Sequence, residues 1–279
     1  MSRYVTVASV SQIPIGSYED LNGILSGAKT LAVRAARMGA DILVYPEVYP
    51  QSGATNGTLS ELAEPMPGKT VTFMADVAKA NRMYIIWPLY LRREGLVYNS
   101  AILIGRDGSI LGIYDKMFPT ISEIESGCTP GTHPSVFQTD FGKIGIAICF
   151  DLNFRPCIEA LARNGAEIIF FPSAYRGGLQ LRIWAHEFGI YLVSAIGGEL
   201  GQIVDLSGTV LAESTYEALI TQRINLDRRL LHMDGNWHKM DEMLEKYGTG
   251  LTFQYFTREG KYTIASEMPD GCGTFSRKG

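Results

Sequence analysis

Apolar residues recur along this chain in two rhythms. Short runs rich in valine, isoleucine and leucine alternate with longer stretches in which apolar positions return every three or four residues. The first rhythm is that of strands buried on both faces, and the second that of amphipathic helices. Residues 4–10 (YVTVASV) read as a strand. Residues 20–38 read as a helix, with Leu21, Ile24, Leu25, Ala28, Leu31, Ala32 and Ala35 on one face and Gly39 as its stop. A short buried strand follows at 41–45, then a loop over 51–69 rich in Gly, Ser, Thr and Pro, a helix over 70–82 and a buried strand over 84–91. Strands at 98–104 and 109–114 flank Arg106-Asp107-Gly108-Ser109, a hairpin turn. Residues 117–134 read as an irregular loop. A second hairpin joins 135–139 to 143–149 around Asp140-Phe141-Gly142. The remainder reads as a helix over 155–164, a strand over 167–171 and a helix near 179–188. Strands at 190–196, 202–206, 209–212 and 219–225 follow, then a helix near 228–246 and a weakly patterned tail.

Helices alternating with buried strands, with hairpins interleaved, predict α/β layering with a mixed sheet or two sheets. No linker divides residues 1–279, so one domain is expected, with a C-terminal extension from about residue 228.

Composition narrows the function classes. The chain has 279 residues, 46% hydrophobic and 19% charged, enough for a large core. Its net charge is −4 without a basic stripe, which argues against nucleic acid as a partner. The N-terminal MSRYVTVASVSQIP is too β-branched for a signal peptide, and no apolar run approaches the ~18 residues of a membrane span. Cys128, Cys149, Cys157 and Cys272 form no CxxC pair, and no HExxH or paired His/Cys spacing is present, so neither a disulfide framework nor a metal is expected. The four histidines lie in no recognisable partner motif for a Cys–His hydrolase. A reducing cytoplasm is the expected setting.

The candidate chemistry sits at three strand ends. Glu47 follows the strand at 41–45, Lys116 follows the strand at 109–114, and Cys149 ends KIGIAIC. Taken singly, each has an ordinary reading: a solvated loop glutamate, half of a surface ion pair, a small buried hydrophobe. Taken together they form a chemical set. A thiol attacks well once a base or a neighbouring cation helps ionise it. A glutamate serves as that base and returns the proton to a leaving amine, and a lysine holds an oxyanion. Tyr49, Tyr175 and Trp184, aromatics near strand ends, are candidate walls of a substrate pocket.

The three segments resemble, in order, the signatures of the nitrilase superfamily of carbon–nitrogen hydrolases. YPEVYP is similar to its first motif, YDKMFP to its second and GIAICFDLNFRP to its third. TPGT at 129–132, GAEIIFFPSA at 165–174 and IVDLSGTVLAES at 203–214 extend the likeness over roughly residues 4–227. The resemblance implies an α-β-β-α four-layer sandwich, assembled as a homodimer or larger homo-oligomer. It implies Glu47 as general base, Lys116 as oxyanion lysine and Cys149 as nucleophile. The backbone N–H of Phe150 becomes the second oxyanion donor. It also implies a second pocket glutamate shortly before Pro130-Gly131. Glu123 and Glu125 are both candidates, and Glu125 stands at the more usual spacing.

Three departures border the pocket. Met117-Phe118 stands where a histidine is frequent, Arg155-Pro156-Cys157 replaces Pro-Glu, and WAHEFGIYLVSAIG at 184–197 lacks the Arg-Ala-x-Glu-Asn pattern. They bear on substrate identity and leave the reaction type in place. The expectation is a cofactor-free, metal-free hydrolase of a small amide or N-carbamoyl compound acting through a thioester. A true nitrilase attacking C≡N is the second reading. A non-catalytic scaffold is a third, disfavoured because a scaffold has no reason to keep all three side chains.

Overall fold

The computed structural model describes residues 2–11, 20–52, 57–235 and 237–267. These resolve into two compact units, residues 6–222 and a second formed by 1–5 with 223–279.

The larger unit is built on two sheets. The chain enters through β1 (Tyr4–Val10), α1 (Leu21–Arg37), β2 (Ile42–Val44), α2 (Leu59–Leu62), β3 (Glu64–Pro65) and α3 (Lys69–Asn81). It continues through β4 (Tyr84–Arg93), β5 (Leu96–Ile104), β6 (Ile110–Asp115) and α4 (Ile121–Glu125). Then come β7 (Val136–Gln138), β8 (Lys143–Ile146), α5 (Arg155–Arg163), β9 (Ile168–Ser173) and α6 (Gly178–Phe188). β10 (Tyr191–Ile196), β11 (Gln202–Val204), β12 (Val210–Glu213) and β13 (Leu219–Asn225) follow. The first sheet has the order β13-β1-β2-β4-β5-β6, with β3 on β4, and the second the order β12-β11-β10-β9-β8-β7. In each sheet the central strands are parallel and mostly apolar, and β4–β5–β6, β7–β8 and β10–β11–β12 pair antiparallel. This is the pattern the two hydrophobic rhythms predict: strands covered on both faces, with helices as the cover.

The layers follow from alternation along the strands. In β1, Ala8 and Val10 pack with Leu25, Ala28, Ala32 and Ala35 of α1. Ser9 points the other way, and its hydroxyl donates to the carbonyl of Ser194 in the second sheet at 2.6 Å. On that sheet, Ile169, Phe171, Leu192 and Ile196 pack with Ile158 and Leu161 of α5 and Leu181 and Ala185 of α6. The result is the α-β-β-α sandwich expected from the motifs. α1 is started by Asp20, whose carboxylate accepts from the Gly23 amide at 2.7 Å. At the β5–β6 hairpin Gly108 has φ +84°, and a Cβ there would meet the Ala75 carbonyl at 2.8 Å, so only glycine fits.

Three stretches differ from their expected form. Residues 51–69, read as a loop, hold α2 and β3. Residues 117–134 are not wholly irregular, because α4 forms within them. Thr120 caps it in a capping box with Glu123: the hydroxyl accepts from the Glu123 amide while the Glu123 carboxylate accepts from the Thr120 amide. Residues 228–246 are not one helix. In the smaller unit Arg228–His232 is a strand, β14, and only Trp237–Tyr247 is helical, as α7. β15 (Leu251–Phe256) and β16 (Lys261–Ser266) then complete a sheet ordered β14-β16-β15. Gly235, with φ +69°, turns the chain between β14 and α7. The tail's weak pattern reflects a small sheet with one covered face, where Met233, Met240, Leu251, Tyr262 and Ile264 form the core.

Candidate active site

Glu47 stands three residues past the carboxyl end of β2, and Lys116 immediately follows β6. Cys149 opens a tight turn just past β8. The first two belong to one sheet and the third to the other, and the sandwich brings them together. Lys116 Nζ donates to Glu47 Oε1 at 2.8 Å. The Glu47 Oε2 atom accepts from the backbone amide of Ala174, beyond β9, at 3.1 Å. Cys149 is 9% exposed and Lys116 1%.

Both ends carry backbone strain. Val48, next to Glu47, has φ +43°, and Cys149 itself has φ +47°. A β-branched residue and a cysteine in the left-handed region each cost about 1–3 kcal/mol, a strain that concentrates at functional sites. The turn at Cys149 aims its side chain out of the strand direction toward the end of β9. There Ser173 and the Ala174 amide draw the thiol's pKa down against the effect of burial.

The second carboxylate that meets Lys116 is that of Glu123 rather than Glu125. Glu123 Oε2 accepts from Lys116 Nζ at 2.7 Å and from the Thr120 amide at 2.7 Å. Glu125 is exposed. The reason is helical geometry: two residues on, a side chain points about 200° around the axis, so Glu123 and Glu125 cannot face the same partner. The signal for this was in the sequence. Thr120-Ile121-Ser122-Glu123 is a capping-box pattern, which fixes Glu123 at the third helical position with its carboxylate folded back toward the chain that carries Lys116.

Asn99, on β5, has a role that sequence reasoning missed. Its amide donates to Glu47 Oε1 at 2.8 Å and to Glu123 Oε1 at 2.7 Å, and the side chain is 1% exposed. An asparagine within VYNSAILI gives no outward sign of this, since only strand pairing puts it beside Lys116: the Lys116 amide donates to the Asn99 carbonyl at 2.8 Å. The loop that bears Glu123 is closed by Gly131, whose amide donates to the Lys116 carbonyl at 2.8 Å. A Cβ there would stand 2.2 Å from the Asp115 carbonyl oxygen, which accounts for the Pro130-Gly131 pair.

Electrostatics divides the roles. Burial opposes the Lys116 ammonium, but Glu47, Cys149 and Glu123 hold its pKa above the ordinary lysine value. Burial likewise works to raise the Glu123 carboxyl, yet Lys116 outweighs it and keeps it below the usual range. Burial and then Glu47 push the Cys149 thiol up to about 12, with Lys116 pulling the other way. Such a shift disfavours the thiolate, a balance that suits a base taking the proton as sulfur attacks. Burial also raises Cys128 to about 11 and Cys157 to about 12. Cys272 lies outside the described residues.

A cavity of about 400 Å³ opens on this site, with Glu47, Tyr49, Gln51, Tyr90, Ser173 and Ala174 among its walls. Tyr175 is near the thiol: burial and then Cys149 raise its phenol to about 12. Trp184 is not among the walls of this cavity. It is 8% exposed within the second sheet's core, and its indole donates to the Leu152 carbonyl at 2.9 Å. An aromatic one helical turn inside α6 serves packing. Phe150 is 38% exposed, its ring edge-on to Phe154. Among the described residues no cluster of His, Cys, Asp or Glu could hold a metal ion, and no helix is long and apolar enough to cross a membrane.

Two facing sheets under helical layers, with the site at their strand ends, define a sandwich of the nitrilase type. The chain belongs to the carbon-nitrogen hydrolase family, whose model matches residues 6–229. It is 29% identical over 160 residues to omega-amidase NIT2 of Danio rerio, covering 54% of this chain and 57% of that protein. It is 32% identical over 186 residues to N-carbamoylputrescine amidase of Solanum lycopersicum, covering 62% and 59%. The chain thus spans a little over half the length of these curated relatives. Among solved structures it superposes on Saccharomyces cerevisiae Nit3, a member of branch 10 of the nitrilase superfamily. The TM-score is 0.69 at 21% identity, covering 89% of this chain and 96% of that one.

Proposed function

We propose that the protein hydrolyses the C–N bond of a small amide or N-carbamoyl compound through a thioester on Cys149. As Sγ bonds to the carbonyl carbon, the thiol proton passes to Glu47. The oxygen of the tetrahedral intermediate is held by Lys116 and the Phe150 amide. Collapse breaks the C–N bond, and Glu47 returns the proton to the departing nitrogen. Water, giving a proton to Glu47, then attacks the thioester, and the proton ends on the released thiol. Glu123 keeps Lys116 charged and oriented.

The observation that carries this reading is the buried Glu47–Lys116–Glu123 set closed by Asn99, whose charges act on the Cys149 thiol. A structural ion pair needs one carboxylate. Two carboxylates on one lysine leave one free to accept a proton without losing the cation's partner. The names of the relatives, an omega-amidase and a carbamoylputrescine amidase, support amide over nitrile chemistry. The test is ammonia release across amides, carbamoyl amino acids, carbamoyl amines and nitriles, with mass spectrometry of the Cys149 peptide during turnover. Ammonia from an amide or carbamoyl compound, with an acyl mass on Cys149, is expected. Turnover confined to nitriles, or undiminished in Cys149→Ala, would overturn it.

A further inference from the structure

Asp151 is fully buried and two residues past the nucleophile, yet the scheme above does not use it. Its two oxygens reach three separate stretches of chain. Oδ2 accepts from the Ile148 amide at 2.9 Å and from the Tyr114 hydroxyl at 2.7 Å. Oδ1 accepts from the Phe118 amide at 2.8 Å. Ile148 immediately precedes Cys149. Tyr114 and Phe118 stand two residues before and two residues after Lys116.

One carboxylate therefore brackets the lysine on both sides along its chain and grips the turn that carries the thiol. The two halves come from opposite sheets, β6 and β8. The same junction is packed by aromatic rings: Phe118 stacks on Phe154 at 3.8 Å, and the Phe154 amide donates to the Asp151 carbonyl at 3.1 Å. The left-handed φ of +47° at Cys149 has to be held by something, and the Asp151–Ile148 bond spans it.

We propose that Asp151 is a positioning residue that fixes the Cys149 turn against the Lys116 segment, so that the attacking sulfur and the oxyanion lysine keep their spacing. This rests on the roles given above to Cys149 and Lys116. An aspartate is required because all three partners donate. An asparagine offers one accepting oxygen, and its NH2 must face either the Phe118 amide or the Ile148–Tyr114 pair. Whichever way it turns, one half of the site is released. An error of about 1 Å in such spacing costs on the order of 10²-fold in rate. It acts on the chemical step and leaves the substrate's walls in place.

The experiment has two arms. In the first, Asp151→Asn is assayed for kcat and KM. A fall in kcat of about 10²-fold with KM within about threefold is expected. A wild-type kcat in the folded variant, or KM and kcat worsening together, would overturn the proposal. Should the variant not fold, Tyr114→Phe carries the test. It keeps both backbone bonds and is expected to lower kcat by about tenfold at constant KM, whereas an unchanged kcat overturns the proposal. The second arm needs no substrate. The rate of Cys149 alkylation by iodoacetamide is measured in wild type, Asp151→Asn, Lys116→Met and the double variant. Asp151→Asn is expected to slow labelling in the wild-type background and to change it little once Lys116 is gone. Independent, multiplying effects would mean that Asp151 does not act through the Lys116 spacing. If no compound is turned over, the proposed function fails while this second arm still judges Asp151.

Discussion

Carboxylates are buried in this protein in two ways. At Lys116, charge meets charge: Glu47 and Glu123 share one ammonium and one asparagine amide. At Asp151, charge meets dipoles: two backbone amides and a phenol, with no cation in bonding contact. Burial penalises both, but the outcomes are opposite. Lys116 overrules burial at Glu123 and holds its pKa low, whereas at Asp151 burial wins and the pKa rises to about 6. A paired site can hand protons about while its net charge hardly changes. A site built on directed hydrogen bonds fixes geometry, because each donor has one place to point.

The sharpest way to break the comparison is to remove the cation. Lys116→Met leaves two buried carboxylates on one asparagine amide, so one must take up a proton, and the oxyanion loses its lysine. Ammonia release should fall by about 10³-fold or more. A variant within tenfold of wild type would mean that the paired site is structural only. Next is the choice between neighbours. Glu123→Gln is expected to lower kcat by about 10²-fold, and Glu125→Gln by less than about twofold, since only the first touches Lys116. A dead Glu125→Gln would reverse the assignment.

Asn99→Ala tests whether the amide shared by the carboxylates matters beyond packing. A drop of about tenfold in kcat is expected, with about 1–3 kcal/mol lost in urea unfolding, because two buried acceptors each lose a donor. Unchanged stability would make the amide dispensable. The smallest effect concerns pH. The folded-state pKa of Asp151 lies above its ordinary 3.8, at about 6. Its contribution to stability is therefore complete below 3.8 and lost as pH rises through 6. Glu123 has the reverse sign: its pKa is lowered from 4.5, so its contribution stands above 4.5 and is lost as pH falls through the native value. The melting temperature of wild type should thus gain on that of Asp151→Asn between about pH 7 and pH 5. It should fall on further acidification as Glu123 and its neighbours protonate. A constant difference would show that the Asp151 carboxylate is not penalised by burial.

By itself the sequence determined the longer strands and helices through residue 225, though not the short α2, β3 and α4 within the two loops, and which three strand ends carry reactive groups. Both are local properties: periodicity decides an element's type, and a charged or thiol side chain ending an apolar run is visible where it stands. It also held the capping box that places Glu123, though family spacing pointed to Glu125. Tertiary structure alone decided the rest. Asn99 reaches the site only because β5 pairs with β6, so that Lys116 comes to lie beside it. Asp151 is a hub only because two sheets bring Tyr114, Phe118 and Ile148 within reach of one carboxylate. Trp184 is core because α6 turns that face inward. The raised pKa of the thiol depends on how deeply the sandwich buries it and on which charges surround it. Those are sums over distant parts of the chain, and no window of sequence contains them.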